Sequence, residues 1–146
     1  MCSSDLSLID RKVRDGIQSL EKANRVKPMQ PDVVFALAQA LVQDQRVPEA
    51  QKLGLELIQK NKEYGPIYDL LYQLDLTGKH IEDAEKILQS KVANNPKQTE
   101  YALQLALHYA RAQKRTEMAA VLRSLLDKPA DHPLAYLQAG NFYAGS

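Results

Sequence analysis

The residues of this chain able to do chemistry are three histidines, one cysteine and a short charged run. His80 falls in a turn, His108 in a helical stretch and His132 in a connecting segment. They have no ligand spacing to one another or to Cys2, so no metal centre is expected. His108 has no orienting acid or nucleophile at readable spacing, and packing or solvation is the expected role. With one cysteine in the sequence, an internal disulfide is impossible. The run "KHIEDAEK" (79–86) has the pattern of a solvated helix face. No Gly-rich phosphate loop and no nucleophile elbow occurs. The expectation is therefore a chain without catalytic residues, metal or cofactor.

Composition narrows the classes further. The 146 residues are 45% hydrophobic and 25% charged, which suits one globular domain. The 19 Lys and Arg nearly cancel the 18 Asp and Glu, so no basic patch for a phosphate backbone is implied. Tyr68, Tyr72, Tyr101, Tyr109, Tyr136 and Tyr143 could stack on bases only with interleaved Arg and Lys, which their segments mostly lack. No apolar run is long enough to cross a bilayer, and no basic segment followed by an apolar one reads as a signal peptide. The sequence does not otherwise indicate a compartment. The first six residues, "MCSSDL", resemble the translation of a sequencing-library adapter and are set apart as an artefactual tail, 1–6; a genuine short disordered tail is the other reading.

The elements that would position any site follow from an internal repeat. "VRDGIQSLEKAN" (13–24), "VPEAQKLGLELI" (47–58), "IEDAEKILQSKV" (81–92) and "RTEMAAVLRSLL" (115–126) begin 34 residues apart. "PDVVFALAQALVQD" (31–44), "GPIYDLLYQLDLTG" (65–78), "TEYALQLALHYARA" (99–112) and "PLAYLQAGNFYAGS" (133–146) hold the same interval. Each has helical spacing of apolar residues, and the prolines fall between helices or in a first turn. Helices are expected near 8–26, 31–44, 48–61, 65–77, 82–94, 99–112, 116–127 and 133–144. Asp32 and Thr99 are expected as N-caps or first-turn residues, and Gly78 marks a turn.

A 34-residue period of paired helices resembles the tetratricopeptide repeat. First-helix positions 4, 7, 8 and 11 read Val34, Leu37, Ala38, Leu41; then Tyr68, Leu71, Tyr72, Asp75; then Ala102, Leu105, Ala106, Tyr109; then Tyr136, Ala139, Gly140, Tyr143. Second-helix positions 17, 20 and 24 read Val13, Gly16, Leu20; then Val47, Ala50, Gly54; then Ile81, Ala84, Leu88; then Arg115, Met118, Leu122. Tyr72 at 8, Met118 at 20, Gly54 at 24 and Lys91 at 27 depart from the pattern. The resemblance implies an all-α, right-handed superhelical solenoid of antiparallel helix pairs, with the tyrosines at positions 4 and 11 in the core. It divides 7–146 into a second helix (7–30), three repeats (31–64, 65–98, 99–132) and a first helix (133–146), as in a fragment of a longer array.

The same resemblance places a concave groove on first-helix positions 2, 5, 9, 12 and 13. By that resemblance the groove holds, from among those positions, Phe35, Gln39, Val42 and Gln43; Asp69, Gln73, Leu76 and Thr77; Leu103, Leu107 and Arg111; Leu137 and Asn141. Apolar anchors beside amides suit a protein partner, an extended peptide or an amphipathic helix. Phe35 and Gln39 replace the Lys and Asn of the family's carboxylate clamp, so an acidic C-terminal tail is not the expected ligand. The implied function is a non-catalytic interaction scaffold; the alternative is the docking or regulatory region of an enzyme with its catalytic domain elsewhere.

Overall fold

The computed structural model describes residues 2–145, with side chains from 8 to 144. Its described residues form eight α-helices and no strand: α1 (Cys2–Val26), α2 (Pro31–Gln43), α3 (Val47–Lys60), α4 (Gly65–Thr77), α5 (Ile81–Asn94), α6 (Thr99–Arg111), α7 (Arg115–Leu126) and α8 (Ala135–Gly145). The backbone of residues 2–6 continues α1; the side chains read as an artefactual tail lie outside the described residues. At the other end, α8 starts at Ala135, two residues after the expected Pro133, because Pro133 and Leu134 complete the preceding turn.

Two compact units divide the chain, Met1–His80 and Ile81–Ser146. In the first, α1 packs on α2, α2 on α3 and α3 on α4, and α2 also touches α4. In the second, α5 packs on α6, α6 on α7 and α7 on α8. Sequence spacing explains these contacts. Val34, Leu37, Ala38 and Leu41 fall at i, i+3, i+4 and i+7 of α2, and all four are buried. Ala102, Leu105, Ala106 and Tyr109 repeat the stripe on α6. Their partners include Ala50 and Leu57 on α3 and Met118, Leu122 and Leu125 on α7, also buried. Burying each large apolar side chain contributes roughly 1.5–3 kcal/mol.

The departures from the repeat pattern are absorbed locally. Gly54 on α3 meets Leu71 of α4 so closely that a β-carbon on Gly54 would lie 2.9 Å from a Leu71 methyl. The missing bulk at position 24 is thus supplied from the next helix. Tyr72 and Met118 are both buried despite their size. Lys91 is buried as well, its ammonium donating to Gln104 Oε1 at 2.8 Å and lying 4.1 Å from the Tyr101 ring centroid.

Helix ends follow a repeating scheme. Pro31, Pro48 and Pro66 occupy first-turn positions, where the absent N–H is not needed. Asp32 and Thr99 are first-turn residues, one of the two expected places; the N-caps are Gln30 and Gln98, and neither side chain caps. Two residues beyond the ends of the first helices α2, α4 and α6, Gln45, Lys79 and Gln113 have φ of 60°, 64° and 60°. The following residue in each case donates its N–H to a carbonyl five residues back: Arg46 to Leu41, His80 to Asp75, Lys114 to Tyr109. The left-handed position beside Gly78 is therefore Lys79, while Gly78 itself has an ordinary φ of −78°.

Tyrosines at equivalent repeat positions have different fates. Tyr68 and Tyr109 are buried, and Tyr68 donates its hydroxyl to the Lys62 carbonyl. Tyr136 and Tyr143 are 84% and 50% exposed, contrary to the core role expected of positions 4 and 11. The seat of α8 on α7 is made by Ala135 and Ala139 instead.

Candidate peptide-binding faces

Each first helix has a buried stripe, and the predicted groove residues fall beside it. In the first unit, Gln39 and Gln43 on α2 and Asp69, Gln73 and Thr77 on α4 are exposed, while Phe35, Val42 and Leu76 are half-buried. Since α2 and α4 touch, these residues belong to neighbouring helices of one unit. Helical geometry causes the separation: positions 5, 9 and 12 lie about a residue's rotation away from the stripe at 4, 8 and 11.

The charges of this unit are sorted by helix. Neither α2 nor α4 contains Lys or Arg, but Asp32 and Asp69 are exposed on them. The helical cations lie on α1, as Arg11, Lys12, Arg14, Lys22 and Arg25, and on α3, as Lys52 and Lys60, while Lys27, Arg46, Lys62 and Lys79 lie in the turns. One end of the α2 side is fixed by an aromatic pair absent from the sequence reading. Phe35 meets the Tyr64 ring edge-on at 6.1 Å, and the Tyr64 hydroxyl donates to Asp32 Oδ1 at 3.3 Å. Burial and the Asp32 carboxylate push the Tyr64 phenol up from its ordinary value. Phe35, a predicted groove residue, is therefore partly engaged by an aromatic neighbour from outside its own helix. The signal lay in the helix start: Tyr64 is the N-cap of α4 and so comes within reach of α2.

In the second unit, Leu107 is 42% exposed, Leu103 is half-buried and Arg111 is exposed on α6. Leu137, 63% exposed, and Asn141, also exposed, sit on α8. Other residues of this unit make polar contacts between its helices and turns. Gln89 donates to the Tyr109 hydroxyl at 2.9 Å, and Asn95 donates to the Lys91 carbonyl. Glu85 accepts from Lys114 at 2.8 Å and stands 3.6 Å from His108 Nε2.

The histidines are not arranged for catalysis. His80 is exposed. His132 is buried, its Nδ1 2.6 Å from the Thr99 hydroxyl, so it ties the α7–α8 turn to the start of α6. His108 is buried; desolvation holds its imidazole below the ordinary range, Glu85 opposing and Lys114 reinforcing. Among the described residues no group of three His, Cys, Asp or Glu side chains could hold a metal ion. No described helix is long and apolar enough to cross a membrane.

With this geometry in place, comparison with known proteins identifies the architecture. No family model and no curated protein matches the chain. Among solved structures it is similar to the crystal structure of MamA, with a TM-score of 0.54 and 16% sequence identity over 88% of this chain and 75% of that one. MamA contains tetratricopeptide repeats, and the likeness establishes a fold of that type: helices in sequential packed pairs.

Proposed function

We propose that the chain is a non-catalytic protein-interaction scaffold whose first-helix faces bind a peptide or helix. The observation that carries this reading is the division on α2 and α4. Their stripe at positions 4, 8 and 11 is buried, and beside it lies an amide and apolar face without a cation. Gln39, Gln43 and Gln73 offer paired donors and acceptors to a polypeptide backbone, while Val42 and Leu76 offer apolar contact. Asp32 and Asp69 disfavour an acidic ligand and favour one bearing Lys or Arg. On α6 and α8, Leu103, Leu107 and Leu137 supply anchors, with Arg111 and Asn141 polar beside them. The exposure of Leu107 and Leu137 supports this reading, since exposed apolar patches are common at interaction sites.

The test selects binders from a random-peptide display library and titrates them against variants. Leu107→Ala or Gln73→Ala weakens the selected peptides by about 1–3 kcal/mol, as expected for anchors. Lys52→Ala, on the exposed side of α3, leaves affinity unchanged. Peptides whose affinity ignores every groove variant would refute the assignment.

A further inference from the structure

We infer that Asp32, Phe35 and Tyr64 form a corner of the first-unit face that receives one arginine side chain of a bound polypeptide. The inference rests on the reading of α2 and α4 as a binding face and names one residue of what binds there. Asp32 and Phe35 are three residues apart on α2, so their side chains leave the helix on the same side. Tyr64, the N-cap of α4, brings a second ring to them. All three reach solvent: Asp32 is exposed, and Phe35 and Tyr64 are half-buried. The corner lies within one unit, between two helices that touch.

Charge and ring surface together suit a guanidinium. Elsewhere in this unit Asp44 faces Arg14 and Arg46, and Glu49 faces Arg46. Asp32 is in no ion pair among the described residues; its Oδ1 accepts the neutral Tyr64 hydroxyl at 3.3 Å. That distance is long for a bond between two oxygens, so most of the carboxylate's capacity stays open. Neither α2 nor α4 carries Lys or Arg, so no cation of these helices competes for it. The Phe35 and Tyr64 rings meet edge-on, centroids 6.1 Å apart at 68°. An edge-on pair covers a single ring face between its two members, and the open faces attract a cation placed within about 6 Å of a ring centroid. Arginine fits this combination better than lysine. Its planar guanidinium can lie on a ring while its N–H fork reaches the carboxylate, and it gives up water more readily than an ammonium at a half-buried site.

Parallel peptide-display selections on the whole chain and on its Asp32→Asn variant test this. Wild type should enrich peptides with an arginine at a constant position, and Asp32→Asn should not. One enriched peptide is then titrated beside forms with that arginine replaced by lysine or by alanine. Asp32→Asn and Phe35→Leu should each weaken the parent peptide by about two- to fivefold, as for an ion pair or a cation–π contact near the surface. Neither should weaken the alanine form, which has no guanidinium to lose. Tyr64→Leu should weaken the parent peptide more than Tyr64→Phe, which keeps the ring. Thermal melts check that each variant is folded; should Phe35→Leu or Tyr64→Leu melt early, Asp32→Asn, at an exposed site, decides alone. Enrichment without arginine overturns the inference. So does a lysine form that binds as tightly, or an arginine whose loss costs the same on wild type and Asp32→Asn. If peptides of that kind still weaken on Gln73→Ala, the binding face stands without the corner. Arginine peptides that respond to Asp32→Asn but to neither Gln73→Ala nor Leu107→Ala support the corner and remove the wider groove. A chain that retains no peptide overturns both.

Discussion

Gln45, Lys79 and Gln113 adopt the left-handed conformation at the same point of three successive repeats, and none is glycine. An L-residue there is strained by roughly 1 kcal/mol, because its β-carbon crowds the backbone. Gln45→Gly, Lys79→Gly and Gln113→Gly should each raise stability by about 0.5–1 kcal/mol, after the greater unfolded-state entropy of glycine is offset. Gly78→Ala needs no such conformation; its β-carbon would meet the exposed His80 ring at 2.9 Å, which can move, and the Leu74 carbonyl oxygen at 3.4 Å, so a urea titration should show little change. The buried histidine on α6 gives a pH prediction. His108 titrates lower when folded than when unfolded, so the unfolded chain takes up the proton first. Its stabilising contribution is complete above about pH 6.5, the unfolded value, and is lost as pH falls from there toward the folded value. Glu85 from α5 and Lys114 from the α6–α7 turn face it, the first easing protonation and the second resisting it. Melts from pH 8 to pH 5 should fall more steeply below pH 6.5 for wild type than for His108→Gln; parallel curves would remove His108 as the cause.

At the scale of elements, the helix pairs rely on apolar stripes more than on caps. None of the N-cap side chains of α2, α3, α4, α6 and α7 bonds its helix. Gln98→Asp should therefore add about 0.5–1.5 kcal/mol, provided Thr99 keeps its contact with His132. The α3–α4 junction is specified by one size match, Gly54 against Leu71. Leu71 is buried and has little room to withdraw, so Gly54→Leu should cost about 1–3 kcal/mol as an overpacked core. Leu71→Ala alone should cost about 2–5 kcal/mol. Gly54→Ala combined with Leu71→Ala should cost less than the sum, since the added methyl enters the space vacated. Additive costs in a denaturant double-mutant cycle would show that the two residues do not share that space.

For the molecule as a whole, folding and recognition use different residues of the same helices. Ala84 is fully buried at position 20, and Ala84→Leu should cost about 1–3 kcal/mol of stability, with binding lost only through unfolding. Leu107→Ala should do the reverse, weakening a selected peptide while the melt barely moves, because its side chain is partly in water already. Phe35→Ala stands between them. It removes a groove side chain and also the edge-on contact with Tyr64, an aromatic pair worth about 0.5–1.5 kcal/mol beyond its buried area. A thermal melt beside a titration for each variant checks the ordering. The partition of charge, with Lys and Arg on α1 and α3 and none on α2 and α4, gives the first-unit face its sign independently of the nearly neutral total.

The sequence by itself determined the helices, their order and their pairing type. Helical hydrogen bonds are local, and an amphipathic stripe needs only spacing, so a 34-residue period places both. The internal helix ends consequently fall within about a residue of expectation. Tertiary structure decided what each stripe meets. Tyr68 and Tyr136 share a repeat position, yet one is buried and the other exposed, because burial depends on a neighbouring helix and not on the residue's own register. The same holds for His132 against Thr99, Lys91 against Gln104 and Tyr101, and Phe35 against Tyr64. Each is a contact between side chains brought together by helix packing, at separations the period does not encode. A degenerate repeat fixes where helices lie, while the exceptions in it are resolved only by the atoms across the gap, as Gly54 is by Leu71.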